Sequence, residues 1–262
     1  MSLLPKIFFL NLPQHENRLL NITSQFNVLG VHAHRIEAIH GASLSQSQVD
    51  EIFDNSLALK KRGLVLSRGE IGCALSHRNV WEKIIDQDLA YAVILEDDVL
   101  IHKDFLDISN IVSEAPRDWD IIFLGYYIPN KVSDICKVKL KTSYKTSYDY
   151  FFPLERVCGT WGYVVSNNAA KQLLADSAPL FKPIDHYTGD FSKLKIFTIN
   201  CHLTTPDPNI DSSIEVERSE LIKFKKNKVY FLSALSFVNR MRKCLLRKIR
   251  LYIRNTFHLN DI

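Results

Sequence analysis

Three stretches of this chain are apolar at nearly every position: Lys6–Leu12 (KIFFLNL), Tyr91–Leu95 (YAVIL) and Asp120–Gly125 (DIIFLG). A strand with one wet face alternates apolar and polar residues, whereas a strand covered on both faces reads as an unbroken apolar run. Such runs belong to sheets sandwiched between helices, and the segments between them carry helical periodicity. Asn17–Phe26 turns Leu19, Leu20 and Ile22 inward, a second strand is predicted over His34–Ile39 before Gly41, and a helix near Ser45. Ser67–Gln87 is the clearest helix: Ser67 and Glu70 form a capping box, and Ile71, Ala74, Leu75, Trp81, Ile84 and Ile85 recur at helical spacing. Thr160–Ser166 reads as another strand, with Ser166 capping a helix over Asn167–Ala175. The alternation predicts an α/β fold with a mostly parallel central sheet flanked by helices. Lys131–Tyr150, rich in Lys, Ser, Thr and Tyr, has no firm period and reads as a long loop or short hairpin, and no internal repeat is present.

Composition agrees with a packed core. At 262 residues, 46% hydrophobic and 24% charged, the chain is neither disordered, collagenous nor a coiled coil. Its net charge of +4 conceals an asymmetry: residues 1–220 carry −6, and residues 221–262 carry 11 Lys and Arg against the single acid Asp261. The division predicts a folded body over 1–220 and a basic tail over 221–262. In the tail Arg240, Arg242, Lys243, Arg247, Lys248, Arg250 and Arg254 alternate with Val238, Leu245, Leu246, Ile249, Tyr252 and Ile253, the pattern of a basic amphipathic helix on an anionic membrane surface. Nucleic acid or a partner helix are the competing readings, and the body shows no nucleic-acid module. Five widely spaced cysteines (Cys73, Cys136, Cys158, Cys201 and Cys244) form no C-x-x-C pair, which favours a reducing, cytoplasmic setting over a disulfide framework. The first residues lack the features of a secretion leader, and no stretch reaches the roughly 20 apolar residues of a membrane span.

The strongest chemical signal is Glu96-Asp97-Asp98, placed directly after the apolar run Tyr91–Leu95 and before Val99-Leu100-Ile101. Ligands of open α/β sheets sit outside the carboxyl ends of strands, and hard divalent cations take oxygen donors, so three acids there suit a cation held against phosphate. Dinucleotide-fold, P-loop, H-E-x-x-H and G-x-S-x-G signatures are all absent.

Four stretches in order, NLPQHENR (Asn11–Arg18), LSRGEIGCALSHRNVWEKI (Leu66–Ile84), VILEDDV (Val93–Val99) and GTWGYVVSNNAAKQLL (Gly159–Leu174), resemble glycosyltransferase family 25, the bacterial lipooligosaccharide galactosyltransferases and their relatives. The resemblance spans roughly residues 5–215 and implies a GT-A-like fold, a UDP-hexose donor and inversion at the anomeric carbon. It also implies that the acidic triplet plays the part of a D-x-D motif. Asp98, with Glu96 beside it, would hold Mn²⁺ or Mg²⁺, while Glu96 or Asp97 meets water or the ribose. Asn11, Leu12 and Arg18 fall where such enzymes hold the nucleotide, although Arg18 equally suits a surface salt bridge. Ser76 and His77 fall where donor phosphate or sugar hydroxyls are contacted; the alternative for His77 is a hydrogen-bonded core position beside Cys73 and Trp81. Gly159, Thr160, Trp161 and Gly162 are placed at the sugar, with Tyr163 either there or packing in the core. Asp185, in Pro183–Asp185, is the expected base, its alternative being an N-cap of a helix from His186, and Asp190 is second choice. His202 is a further conceivable metal contact.

The resulting expectation is an inverting hexosyltransferase moving galactose from UDP-galactose onto a lipid-linked lipooligosaccharide or lipopolysaccharide core acceptor, peripheral on the inner face of the cytoplasmic membrane. Two other classes use the same residues: a metal-dependent nucleotidyltransferase or phosphohydrolase, and a non-catalytic membrane-bound sugar- or nucleotide-binding adaptor.

Overall fold

A computed structural model describes residues 4–127, 138–139, 148–153, 156–210 and 214. The chain runs β1 (Ile7–Asn11), α1 (Glu16–Leu29), β2 (His34–Glu37), α2 (Gln46–Ile52), α3 (Asn55–Arg62), α4 (Arg68–Asp86), β3 (Tyr91–Glu96), β4 (Val99–Ile101), α5 (Ile108–Glu114), β5 (Ile121–Phe123), β6 (Val138–Lys139), β7 (Tyr150–Phe152), β8 (Gly162–Ser166), α6 (Asn167–Asp176), α7 (Asp185–Thr188), β9 (Ile196–Ile199) and β10 (Thr204–Pro206). The central sheet has eight strands in the order β2-β1-β3-β8-β5-β9-β7-β6, and β4 pairs with β10 in a separate antiparallel ribbon. Strands β2, β1 and β3 are mutually parallel, as are β5 and β9, while β8 runs against both β3 and β5. The sheet is therefore the core of a layered α/β arrangement and is mixed: β8 is reversed at its centre, and β7 runs against β9 near one edge. The central reversal matters, because the loop before β8 arrives at the edge where β1 and β3 end.

The apolar runs follow from burial on both faces. In β3, Ala92 and Ile94 pack with Trp81 and Ile84 of α4 and Ala170 of α6; Val93 and Leu95 pack with Ile22 and Phe26 of α1 and Ile108 and Ile111 of α5. Residues of β1 alternate the same way, Phe8 and Leu10 against Ile7 and Phe9.

Local signals set the helix starts. Ser67 accepts the Glu70 N–H at 3.1 Å while the Glu70 carboxylate accepts the Ser67 N–H at 2.8 Å. Ser45 and Gln48 repeat that capping box at α2, and Ser166 caps α6 by accepting the Ala169 N–H. Gly30 closes α1 with φ of 64°, which a residue without Cβ adopts freely. Of the stretch Lys131–Tyr150, the described pieces include β6, paired antiparallel with β7, as in a hairpin. Among the described residues no helix is long and apolar enough to cross a membrane. The predicted tail over 221–262 lies outside the described residues.

Candidate functional site

Glu96 closes β3, Asp97 and Asp98 form the turn into β4, and the triplet divides between two sides of the sheet. Glu96 continues the face of Ala92 and Ile94, toward α4, and Asp97 lies on the α1 side. On the α1 side, Asn11 at the end of β1 donates to Asp97 Oδ2 at 2.6 Å. Arg18 of α1 reaches both Asp97 Oδ1 at 3.1 Å and Asp98 Oδ2 at 3.2 Å. The backbone N–H of Asp207, just past β10, fixes the turn by donating to the Asp98 carbonyl at 2.7 Å. Its carboxylate in turn accepts from Asn21 of α1 and from Asn209.

On the α4 side, Glu96 ends a buried chain of hydrogen bonds. Trp81 Nε1 donates to the Tyr163 hydroxyl at 3.1 Å, Tyr163 meets His77 Nδ1 at 2.9 Å, His77 Nε2 meets Glu96 Oε1 at 3.3 Å, and the Thr160 hydroxyl donates to the same oxygen at 2.7 Å. Trp81, His77 and Tyr163 are fully buried. Burial holds the Tyr163 phenol well above its usual pKa, so the hydroxyl keeps its proton. The Tyr163 hydroxyl thus joins Trp81 Nε1 to His77 Nδ1, and the other ring nitrogen, Nε2, faces Glu96. Burial alone would raise the Glu96 pKa; the hydrogen bonds from His77 and Thr160 and the nearby charge of Arg18 outweigh it, and the carboxyl lies below its ordinary value.

Asp98 behaves in the opposite way. Burial first, then repulsion from Glu96 and Asp97, push it up to about 7 despite Arg18. One guanidinium thus faces three carboxylates, and the Asp98 oxygen donors suit the hard divalent cation that would relieve the imbalance. Asp98 offers oxygen donors to such an ion, while Glu96 beside it is held from the α4 side by His77 and Thr160.

The reversed strand brings in the glycine-rich segment. Glu96 N–H donates to the Trp161 carbonyl, and Gly162 pairs with Leu95. A Cβ on Gly162 would lie 2.2 Å from Thr204 Oγ1, and one on Gly159, whose φ is +101°, 2.1 Å from the Trp161 ring. Both positions are held for close approach of protein to protein. Trp161 donates to the Thr204 carbonyl at 3.4 Å and stacks on Tyr127, with 6.0 Å between centroids and 5° between planes. Tyr127, 47% exposed, adds outward aromatic surface beside the half-buried Trp161. His202 lies against the Tyr126 ring at 4.7 Å.

The remaining expected site residues divide. Asp185 is the first residue of α7, which has Ile184 as its N-cap residue, so it is not the N-cap. Its carboxylate faces Cys158 and Cys73. Burial, then Asp185, push the Cys158 thiol up to about 12, and burial, then Glu96 and Asp185, push Cys73 well above its usual value. Asp185 and Glu96 therefore both bear on Cys73. Asp190 instead organises its own turn, accepting from Ser192 at 2.6 Å and from Lys182 at 3.5 Å. Although burial opposes it, those contacts hold the Asp190 carboxyl below its usual value. Ser76 is a structural tie: its hydroxyl donates to the Gly72 carbonyl and accepts the Ile39 N–H, fastening the loop after β2 to α4. The Leu12 carbonyl accepts the His15 N–H in the turn leading into α1. Sequence reasoning missed Asp207 and Tyr127; for Asp207 the signal was Thr205-Pro206-Asp207-Pro208-Asn209, an acid in a turn between two prolines.

With the geometry established, similarity to known proteins adds the lineage. Procollagen galactosyltransferase 1-A of Xenopus laevis is 28% identical over 194 residues, covering 70% of this chain and 30% of that protein. Procollagen galactosyltransferase 2 of Homo sapiens is 26% identical over 191 residues, 70% of this chain and 29% of that protein. A Rattus norvegicus relative, 27% identical over 191 residues and covering 70% of this chain and 32% of that protein, is named probable inactive glycosyltransferase 25 family member 3. The chain thus spans about a third of the length of these relatives. A solved glycosyltransferase involved in glycosylation of the major capsid of PBCV-1 aligns with 84% of this chain and 100% of its own, at 11% identity and a TM-score of 0.41. The family model described as glycosyltransferase family 25 (LPS biosynthesis protein) matches residues 4–188, which include the acidic triplet, its Arg18 and His77 partners, the Gly159–Gly162 segment and Asp185. The chain belongs to glycosyltransferase family 25.

Proposed function

We propose that this protein is an inverting hexosyltransferase that moves galactose from UDP-galactose onto a lipid-linked lipooligosaccharide or lipopolysaccharide core saccharide. The observation that carries the reading is the turn after β3, where Asp98 sits at about 7 in a cluster of three acids with one arginine. A Mn²⁺ or Mg²⁺ ion held there by Asp98 would supply Lewis-acid stabilisation of the departing diphosphate. Arg18 meets the donor phosphates with a planar pair of N–H groups, exchanging part of its contact with Asp97 and Asp98 for them. Asn11 keeps Asp97 in place for the ribose side of the donor. Glu96, fixed by Thr160 and His77, stays ionised and accepts hydroxyl hydrogen bonds from the sugar. Asp185 takes the proton of the attacking acceptor hydroxyl as that oxygen approaches the anomeric carbon opposite the leaving group. Tyr127, backed by Trp161, offers its face to a pyranose ring.

The galactosyltransferase names of the relatives and the lipopolysaccharide wording of the family description support the choice of donor and acceptor. The basic tail supports a peripheral place on the inner face of the cytoplasmic membrane.

The test is product analysis with purified full-length protein and UDP-galactose, UDP-glucose, UDP-N-acetylglucosamine or GDP-mannose, each with and without Mn²⁺. Transfer of the hexose with inversion from UDP-galactose is expected, and Asp185→Asn lowers kcat by about a hundredfold or more. Release or transfer of phosphate without the hexose would mark a nucleotidyltransferase or phosphohydrolase. Donor binding without turnover would mark an adaptor.

A further inference from the structure

Besides the triplet, one other group of donors converges. Among the described residues, Cys73, His77 and Glu96 are the group of three His, Cys, Asp or Glu whose ligand atoms all lie within 4.8 Å of one another. Two features of the fold produce it. Cys73 and His77 are four residues apart on α4 and so share one face of the helix, and Glu96 ends β3 with its carboxylate turned to that face. The set offers one sulfur, one nitrogen and one oxygen. That mixture suits a borderline-soft ion and contrasts with the carboxylate oxygens of Asp97 and Asp98.

We propose that Cys73, His77 and Glu96 form a second metal site, which takes a divalent ion of the zinc class through Cys73 Sγ, His77 Nε2 and a Glu96 carboxylate oxygen. Bonds of about 2.3 Å to sulfur and about 2.0 Å to nitrogen and oxygen require the donors to draw in by roughly an ångström, and His77 and Glu96 already stand 3.3 Å apart. Outer partners are in place: Tyr163 on His77 Nδ1, and Thr160 on Glu96 Oε1. Three protein ligands leave a fourth position open. Cys73 is half-buried.

Protons balance as follows. Glu96 binds as the carboxylate it already is. His77 binds through a bare Nε2 with its proton on Nδ1, where Tyr163 accepts it, and Cys73 binds as the thiolate, its thiol proton being released when the ion binds. The ion would replace the hydrogen-bonded link between α4 and the end of β3 with a coordinate one.

Cobalt(II) titrated into reduced, metal-free, full-length protein tests the site directly. A near-ultraviolet thiolate-to-cobalt charge-transfer band that saturates stoichiometrically and is displaced by Zn²⁺ is expected. Cys73→Ser should abolish the band, His77→Gln should weaken cobalt binding at least tenfold, and Cys158→Ser should leave both unchanged. Absence of the band in the parent protein, or its survival in Cys73→Ser, overturns the proposal. Should Cys73→Ser fail to fold, zinc anomalous scattering from crystals of the parent protein decides. A peak between Sγ, Nε2 and the Glu96 carboxylate supports the site; a peak elsewhere, or none, overturns it. None of these readouts depends on sugar transfer.

Discussion

The Tyr163 hydroxyl serves two buried partners at once, Trp81 Nε1 and His77 Nδ1. Tyr163→Phe keeps the ring and leaves both nitrogens without that partner, and a buried polar group left unpaired costs about 1–3 kcal/mol. A loss of stability in that range is expected in urea unfolding, and a change below about 0.5 kcal/mol would show that the chain of hydrogen bonds is not formed. Asp98 gives a prediction of the opposite sign. Its folded pKa is about 7, against an unfolded value of about 3.9. Between those values the folded protein binds more protons than the unfolded chain. Stability of metal-free protein should therefore fall as pH rises from about 4 to about 7, and be level above that. Asp98→Asn removes this loss. In EDTA the variant should be more stable than the parent at pH 8, by up to a few kcal/mol, with the gap closing toward pH 4. Mn²⁺ should raise the melting temperature of the parent at pH 8 and leave Asp98→Asn unmoved. A variant less stable than the parent at pH 8 would mean that Arg18 already compensates the charge.

At the scale of elements, α4 meets the loop after β2 through glycines. Replacing a mid-helix glycine by alanine ordinarily stabilises by about 0.5–1 kcal/mol, but a Cβ on Gly72 would lie 2.5 Å from the Ile39 carbonyl oxygen and 2.6 Å from the Gly41 nitrogen. Both are backbone atoms that cannot step aside, so Gly72→Ala is expected to destabilise by about 1–3 kcal/mol, measured by thermal or urea unfolding. Features of this kind mark the limit of what could be read in the sequence. The caps at Ser67 and Ser166 were legible because an N-cap contact reaches only three residues on, and β1 and β3 because double burial writes itself into every position. β9, four residues long, and β10, which contains a proline, carry too little pattern to be recognised alone. The reversal of β8 rests on long-range pairing with β3 and β5, which no local signal specifies, and it is this reversal that joins Thr160 to Glu96. The triplet itself stood out, while its division between the α1 and α4 sides shows only in its partners, Asn11 and Arg18 for Asp97 and His77 and Thr160 for Glu96. By contrast, Ser76 and Asp190 carried motif-like positions, and their hydroxyl and carboxylate are occupied by neighbouring backbone and side chains.

At the scale of the whole chain, the charge division bears on the proposed place at a membrane surface. A body at −6 would be repelled by an anionic bilayer unless something opposed that repulsion, and residues 221–262, with 11 basic residues against one acid, are the segment able to do so. Each Lys or Arg near such a surface contributes about 1 kcal/mol, screened over a Debye length of about 8 Å at physiological salt. Replacing Arg240, Arg242, Lys243 and Arg247 together with Gln removes about 4 kcal/mol of that attraction, up to about a thousandfold in partitioning. The parent protein is expected to sediment with phosphatidylglycerol vesicles at low salt, to bind phosphatidylcholine vesicles far more weakly, and to be released as salt rises. The quadruple variant should stay in the supernatant with both. These substitutions lie outside the segment matched by the family model, residues 4–188. Turnover on a soluble acceptor should therefore persist, while turnover on an acceptor embedded in anionic vesicles falls in proportion to lost binding. Equal sedimentation of parent and variant would assign the basic segment to a partner protein instead of the bilayer.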